Sequence, residues 1–360
     1  MVMFLKFENP IRLIELFAGY GSQALALKYL NIPFEHHFVC EFDKYAIQSY
    51  NEIHGTSFVT SDIRDISAKD MNIVDTDKYK YLLTYSFPCT DLSMAGKRKG
   101  MQRESGTSSS LLWEVERLLK ECKELPQYLL MENVPQVIGK NNISLFGEWC
   151  QFLINLGYTN YYKLLNAKDF GIPQNRERCF MVSILQSENK EFVFDFDSRY
   201  DKKLVLSDIM LQDRPNYLYG STENFPHYLG EIESTIKPKV SGKHNELLLR
   251  SYINCATSQF ESNSRIYYDN GICNTLTAKN SVDITFGQLI KVYICNTDDI
   301  VGLTSQEHFR LMGVKDEDYN KLSCSDRQKY KQAGNSIVVN VLMAIFENLF
   351  IKDCKTNKLF

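Results

Sequence analysis

The chain has 360 residues, of which 44% are apolar and 24% charged, the proportions of an ordinary soluble globular protein, which exclude a disordered or fibrous chain. Forty-one Lys and Arg against 44 Asp and Glu leave a net charge of −3, so no whole-molecule cationic field draws the protein to nucleic acid or anionic lipid, and any polyanion site must be local. The ten cysteines are scattered with no C-x-x-C pair, which excludes the usual zinc and thioredoxin-type spacings and points to a reduced, cytoplasmic setting.

The length predicts two lobes. The first residues lack a cationic segment followed by an unbroken apolar run, and no stretch approaches a membrane-spanning length of uncharged apolar residues, so neither secretion nor membrane insertion is expected. The first half alternates short apolar runs with helix-period segments, the pattern of a parallel sheet wrapped by helices. Residues 11–17 read as a buried strand, 23–30 as a helix, 34–40 as a second strand and 44–53 as a second helix. Asp62 and Ile63 fit the end of a third strand. Residues 81–87 and 128–131 are further strands, separated by a helix over 111–124 with Leu111, Leu112, Val115, Leu118 and Leu119 on one face; 178–185 supplies another strand. Phe192, Phe194 and Phe196 then alternate as in a half-exposed strand, and about 213–264 is polar and turn-rich, a second, irregular lobe. Ile337, Val338, Val341, Leu342, Ile345 and Phe346 recur at helical spacing after Gly334 and predict a C-terminal helix that packs back on the first lobe.

Several constellations could carry chemistry. Phe17-Ala18-Gly19-Tyr20-Gly21 ends the first strand, where glycines let a ligand approach the backbone and the next helix offers its N-terminus. Glu41 follows 20 residues beyond Gly21, where an acidic residue of a nucleotide-binding half binds ribose hydroxyls; Phe42 is placed to stack on an adenine, with Asp62 and Ile63 near the same pocket. The bland alternative is two solvated carboxylates and a core phenylalanine. Ser86-Phe87-Pro88-Cys89-Thr90 puts a thiol at the carboxyl end of a strand, the edge where open α/β sheets hold ligands, whereas the other nine cysteines read as small buried hydrophobes. From Ser93 the chain runs into Lys97, Arg98, Lys99 and Arg103, four cations among seven residues, which is the local polyanion patch that the charge balance requires. Glu132-Asn133-Val134 and Arg176-Glu177-Arg178 also stand at strand ends, where Glu and Arg taken alone are commonly surface ion pairs.

The order of these pieces, with Asn274-Thr275-Leu276-Thr277-Ala278, the stretch from Leu303-Thr304 to Met312-Gly313, and Gln332-Ala333-Gly334-Asn335-Ser336, strongly resembles the DNA cytosine-C5 methyltransferases of bacterial or phage type. The likeness covers nearly the whole chain except roughly residues 190–264. It implies an α/β fold: a Rossmann-like, S-adenosylmethionine-dependent methyltransferase catalytic domain over 1–190 plus 328–360, and a smaller, irregular, mainly β target-recognition domain over 191–327 with its variable part at about 213–264. It implies Cys89 as the nucleophile toward C6 of a flipped-out cytosine, Glu132 at the N3 edge of the base and its amino group, and Arg176 and Arg178 as the catalytic pair whose second member reaches the O2 edge. For S-adenosyl-L-methionine it implies Phe17, Gly19, Tyr20, Gly21, Glu41, Phe42, Asp62, Ile63, Ser86, Pro88, Leu111, Asn335 and Ser336; for DNA, Ser93, Lys97, Arg98, Lys99 and Arg103; and no metal. Double-stranded DNA is the expected partner of a cytoplasmic monomer, with a cognate restriction endonuclease as a potential second one.

Thr90 stands where the family usually has Gln, Ser86 where it has Gly, and Ser22 where a third glycine is frequent, which bears on loop contacts rather than on the chemistry. Four other readings stay open: an RNA-methylating branch with the same core motifs, a non-catalytic DNA-binding relative, a NAD oxidoreductase using the glycine loop, and a thiol hydrolase. The last lacks a histidine in a motif-like setting among its six.

Overall fold

The computed structural model describes residues 9–89, 92, 100–103, 106–212, 249–252, 265–278, 290–297 and 299–351. Its strands are β1 (Ile11–Leu16), β2 (Phe34–Cys40), β3 (Tyr81–Tyr85), β4 (Tyr128–Asn133), β5 (Tyr158–Asn166), β6 (Gln174–Asn175), β7 (Glu177–Leu185), β8 (Leu249–Tyr252), β9 (Arg265–Tyr268), β10 (Cys273–Asn274), β11 (Lys291–Ile294) and β12 (Asp299–Gly302). Its helices are α1 (Ser22–Tyr29), α2 (Lys44–His54), α3 (Ala68–Met71), α4 (Leu112–Glu121), α5 (Ile143–Asn155), α6 (Leu206–Ile209), α7 (Ser305–Arg310), α8 (Asp316–Tyr319), α9 (Asp326–Asn335) and α10 (Val339–Phe350).

These elements divide into two compact units, one of residues 1–165, 177–197 and 339–360, the other of 166–176 and 198–338. The first holds a six-stranded sheet in the order β2-β1-β3-β4-β7-β5. β1 pairs parallel with β2 and β3, β3 pairs parallel with β4, and β7 runs antiparallel to β4. β3 and β4 are buried along their whole length, as their near-continuous apolar sequences require of strands covered on both faces. α4 buries Leu112, Val115, Leu118 and Leu119, and α5 buries Phe146, Trp149 and Leu153, with Trp149 Nε1 donating to Tyr85 Oη at 3.0 Å. α10 packs on α1, as expected of the C-terminal helix.

The sequence reading departs from the structure at several places, and residues 166–176, expected in the first lobe, group with the second unit. No strand precedes Asp62, which lies outside any strand before a turn. The Phe192 to Phe196 alternation is present in burial, but the segment joins no sheet: Asn348 Nδ2 donates to Val193 O at 3.1 Å and to Asp195 O at 2.6 Å, in place of a neighbouring strand. Residues 191–197 group with the first unit. The C-terminal helix begins at Val339, with Ile337 and Val338 buried in the connection after α9. Residues 328–338 group with the second unit, because Gly334 of α9 lies against backbone there: a Cβ on it would stand 2.3 Å from Ala278 N and 2.5 Å from Thr277 C. α5, β5 and α9 go beyond the elements expected.

The second unit contains a four-stranded sheet, β12-β11-β9-β8, and the short parallel pair β10-β6. Gln174, Asn175 and Arg176 are its hub. Gln174 Nε2 donates to Leu311 O and its Oε1 accepts from Leu276 N, each at 2.9 Å, while Asn175 O accepts from Thr275 Oγ1 at 2.8 Å. Of the region expected to read the target, 213–264, only β8 lies within the described residues.

A buried polar cluster underlies the glycine loop of the first unit. Tyr50 O–H donates to Glu15 at 2.5 Å and shares a 2.6 Å hydrogen bond with His36 Nδ1, and the His36 and His54 rings lie 4.9 Å apart. Burial raises the Glu15 carboxyl from 4.5 to about 7 and lowers His36 to about 4. The folded chain therefore holds a Glu15 proton that the unfolded chain releases, and Glu15's contribution is present at low pH and lost as pH rises through about 7. Urea unfolding at pH 5 and pH 8 should show the wild type losing about 1–3 kcal/mol more over that interval than Glu15→Gln; equal losses would contradict the burial. Gly334→Ala should lower unfolding free energy by about 1–3 kcal/mol, and an unchanged urea midpoint at constant slope would show that α9 can yield.

Candidate active site

The loop after β1 turns in three left-handed residues, Phe17, Gly19 and Gly21, with φ of 59°, 57° and 83°. At Gly21 a Cβ would collide with Tyr50 and His54 of α2, so glycine is required by close approach; at Gly19 it would meet nothing within 4 Å, so space is open above that residue. Tyr20 is buried, and its carbonyl makes a 3.1 Å contact with His54 Nε2. Glu41, just past β2, is fixed at both oxygens: Gly19 N–H donates to Oε2 at 2.8 Å and Asp43 N–H to Oε1 at 2.7 Å. Burial raises its carboxyl above the ordinary value, opposed by those backbone donors. Each carboxylate oxygen retains acceptor capacity for a hydroxyl. Beside it the Phe42 ring is 74% exposed, unusual for a phenylalanine and suited to stacking on a flat ligand.

Asp62 pairs with Arg64, which donates Nε to Oδ1 at 2.9 Å and holds the carboxyl below its ordinary value. Ile63 is buried, and its carbonyl accepts from Arg117 at 3.0 Å. Ser86 Oγ is buried with no hydrogen-bond partner among the described residues. Leu111 closes a short 3-10 turn, Ser108–Leu111, at the head of α4. The open glycine, the anchored acid, the exposed ring and the orphaned hydroxyl together suit an adenosine-bearing cofactor.

Cys89 follows β3, a half-buried thiol outside any disulfide, packed against the core of the first unit. Pro88 O accepts from the buried Ser109 Oγ at 2.7 Å. Glu132 lies at the carboxyl end of the adjacent strand β4 and is 8% exposed; Arg178 of β7 brings Nε to 3.3 Å from Glu132 Oε1. The Arg178 NH1 group donates to Glu177 O at 2.8 Å. Asn133 Nδ2 donates to Phe87 O at 3.0 Å, joining the end of β4 to the segment that carries the thiol. In the first unit Glu132 and Arg178 thus stand on the neighbouring strands β4 and β7, and Cys89 on the segment that leaves β3, the strand on the other side of β4.

Arg176 has different work. It is buried in the second unit, with its guanidinium donating to Leu276 O at 3.0 Å, Gly334 O at 3.1 Å and Ser336 O at 2.7 Å. Those carbonyls engage both terminal nitrogens of the guanidinium. Asn335 is exposed, and Ser336 is buried with its Oγ donating to Ala333 O at 3.0 Å. Ser93, Lys97, Arg98 and Lys99 lie outside the described residues. Arg103 is described: it lies 3.7 Å over the Trp113 ring and pairs with Glu116 at 2.6 Å. Asn133 and Ser109 are the site residues that sequence reading missed. Asn133 sits inside a motif and could have been found there, whereas Ser109 is one of three consecutive serines with nothing to single it out.

The sequence matches the family model "C-5 cytosine-specific DNA methylase" over residues 11–351. It is 32% identical to the type II methyltransferase M2.ScrFI of Lactococcus lactis subsp. cremoris, across 94% of this chain and 99% of that protein. It is 35% identical to the orphan methyltransferase M.SssI of Spiroplasma monobiae, across 80% of this chain and 69% of that one. In fold it is similar to the S. pombe Dnmt2 methyltransferase, with a TM-score of 0.66 at 20% identity, covering 96% of this chain and 99% of that structure. Match and geometry converge on one conclusion: the chain belongs to the C-5 cytosine-specific DNA methylase family.

Proposed function

We propose that this chain methylates carbon 5 of a cytosine flipped out of a short target sequence in double-stranded DNA, with Cys89 as its nucleophile. The observation that carries the reading is the junction of β3, β4 and β7, where the segment leaving β3 carries a half-buried thiol, a buried Glu132 on β4 pairs with Arg178 on β7, and Asn133 ties β4 to the thiol's segment. Carbon 5 of cytosine is too weak a nucleophile by itself. Addition of the Cys89 thiolate to C6 breaks the C5–C6 double bond and moves its electron pair to C5. Glu132 hydrogen-bonds N3 and the amino group as charge builds in the ring, and Arg178, fixed by Glu132, stabilises negative charge at O2. Once that pair on C5 has bonded to the methyl carbon and the demethylated thioether has left, loss of the C5 proton restores the C5–C6 double bond and expels the Cys89 thiolate.

S-Adenosyl-L-methionine, when bound, supplies an electrophilic methyl carbon. Glu41 holds the ribose hydroxyls, Phe42 stacks on the adenine, Asp62 and the Ile63 backbone lie at its edge, and Ser86, Pro88 and Leu111 border it beside the Phe17 to Gly21 loop. Asn335 and Ser336 complete the set, with Arg176 positioning the Ser336 carbonyl. The cations Lys97, Arg98, Lys99 and Arg103, with Ser93, contact DNA; no metal takes part. We place the enzyme in the cytoplasm as a monomer, in a restriction-modification system with a cognate endonuclease, or as a solitary or phage methylase. The relatives named type II and orphan support these two settings.

The test is bisulfite sequencing of plasmid DNA from methylase-free bacteria expressing this chain. One short protected motif is expected, absent in Cys89→Ser; protection surviving Cys89→Ser would rule out the thiol route, and no protected cytosine would rule out DNA as the substrate. Glu132→Gln should slow single-turnover methylation by about 10²–10⁴-fold. Phe42→Ala should raise the adenosylmethionine Kd by calorimetry, by about ten-fold, with the target motif unchanged. An unchanged Kd would remove Phe42 from the cofactor pocket.

A further inference from the structure

β3 ends at Tyr85, and Pro88 has no N–H to offer a ladder, so the segment that delivers the nucleophile needs other partners for its carbonyls. It has three in succession. Phe87 O accepts from Asn133 Nδ2 at 3.0 Å, Pro88 O from Ser109 Oγ at 2.7 Å, and Cys89 O from Leu92 N at 3.0 Å. Two of the three donors are side chains, and both are buried, Asn133 at 2% and Ser109 at 0% exposure. Ser109 is itself held from below: it stands in the 3-10 turn heading α4, where the next residue, Ser110, donates Oγ to Thr107 O at 2.7 Å and Thr107 Oγ1 donates to Gly100 O at 3.2 Å.

We infer that Ser109 is a positioning residue for the nucleophile: by holding the Pro88 carbonyl, its hydroxyl sets the direction in which the Cys89 thiol leaves the end of β3. The inference rests on the reading of Cys89 as the nucleophile. Pro88 has a fixed φ, so the orientation of its carbonyl plane is the freedom left in the peptide that joins it to Cys89, and Ser109 removes it. Attack on C6 demands alignment of sulfur with the ring, and a displacement of about 1 Å can cost about a hundred-fold in rate. The hydroxyl touches neither base nor cofactor in this role; it acts through Pro88. The same turn ends at Leu111, which borders the proposed cofactor pocket, so cofactor affinity must be measured beside the rate.

Thiolate addition at C6 makes C5 basic, so the C5 hydrogen exchanges with water whenever Cys89 attacks and departs, with no cofactor needed. The test measures release of tritium from C5 of cytosine in a duplex carrying the target motif, using the full chain without adenosylmethionine. Ser109→Ala should lower that rate at saturating DNA by ten-fold or more, with Kd for DNA and for adenosylmethionine each within about two-fold of wild type. Ser109→Thr keeps the hydroxyl and should retain at least about a third of the wild-type rate. Wild-type exchange in Ser109→Ala, a parallel loss of both affinities, or a Ser109→Thr enzyme as slow as Ser109→Ala overturns the inference. Exchange by Cys89→Ser, or none by the wild type, instead overturns the nucleophile reading and this inference with it.

Discussion

The hydrogen bond from Asn133 Nδ2 to Phe87 O is the constraint on which the site depends. Asn133 is the last residue of β4 and is buried, and its Oδ1 also accepts from Val134 N at 2.8 Å, so one amide ties its own strand end and the next residue to the segment leaving β3. A buried amide without partners costs about 1–3 kcal/mol, which makes this junction an arrangement the fold can hardly abandon. Glu132 precedes Asn133 and Cys89 follows Phe87 by two residues, so the bond fixes acid and thiol relative to each other. Arg178 enters through the antiparallel register of β4 with β7, in which Asn133 faces Cys179. Three chemical groups from distant parts of the chain thereby share one frame.

The motifs of the second unit serve architecture more than chemistry. Gln174 bonds to Leu311 and Leu276, and Arg176 bonds to Leu276, Gly334 and Ser336. A single short segment therefore closes backbone groups of three others that lie 100 to 160 residues further along the chain. Gly334 fits there because only a glycine leaves room for the Thr277–Ala278 backbone. Thr304 and Glu307 form a reciprocal cap at the start of α7, and Glu307 Oε1 also accepts from Leu211 N at 2.8 Å. Arg176 holds three backbone carbonyls in this way.

The sheet of the first unit was legible because its strands are apolar runs and its helices have one-sided periodicity. Both are local signals. The site was legible as a set of motifs at strand ends, and Glu41, Phe42, Cys89, Glu132 and Arg178 all lie at such ends. What the sequence hid was long-range bonding by ordinary polar residues. Asn348 holding the Phe192 to Phe196 segment, Ser109 reaching Pro88, and Tyr50 reaching Glu15 have no periodicity, and their partners are 21 to 155 residues away. The Asp62 strand failed because the carboxylate closes on the backbone and side chain of Arg64 two residues on.

The central claim is that Cys89, of ten cysteines, is the one that bonds to the base. A duplex carrying 5-fluorocytosine in the target motif tests it, because fluorine at C5 cannot leave as a proton and the thiol stays attached at C6. After incubation with adenosylmethionine and digestion, mass spectrometry should find the nucleotide on the peptide containing Cys89. Attachment to another cysteine, or methylation of ordinary DNA by an enzyme that forms no adduct with the fluorinated duplex, would contradict the account.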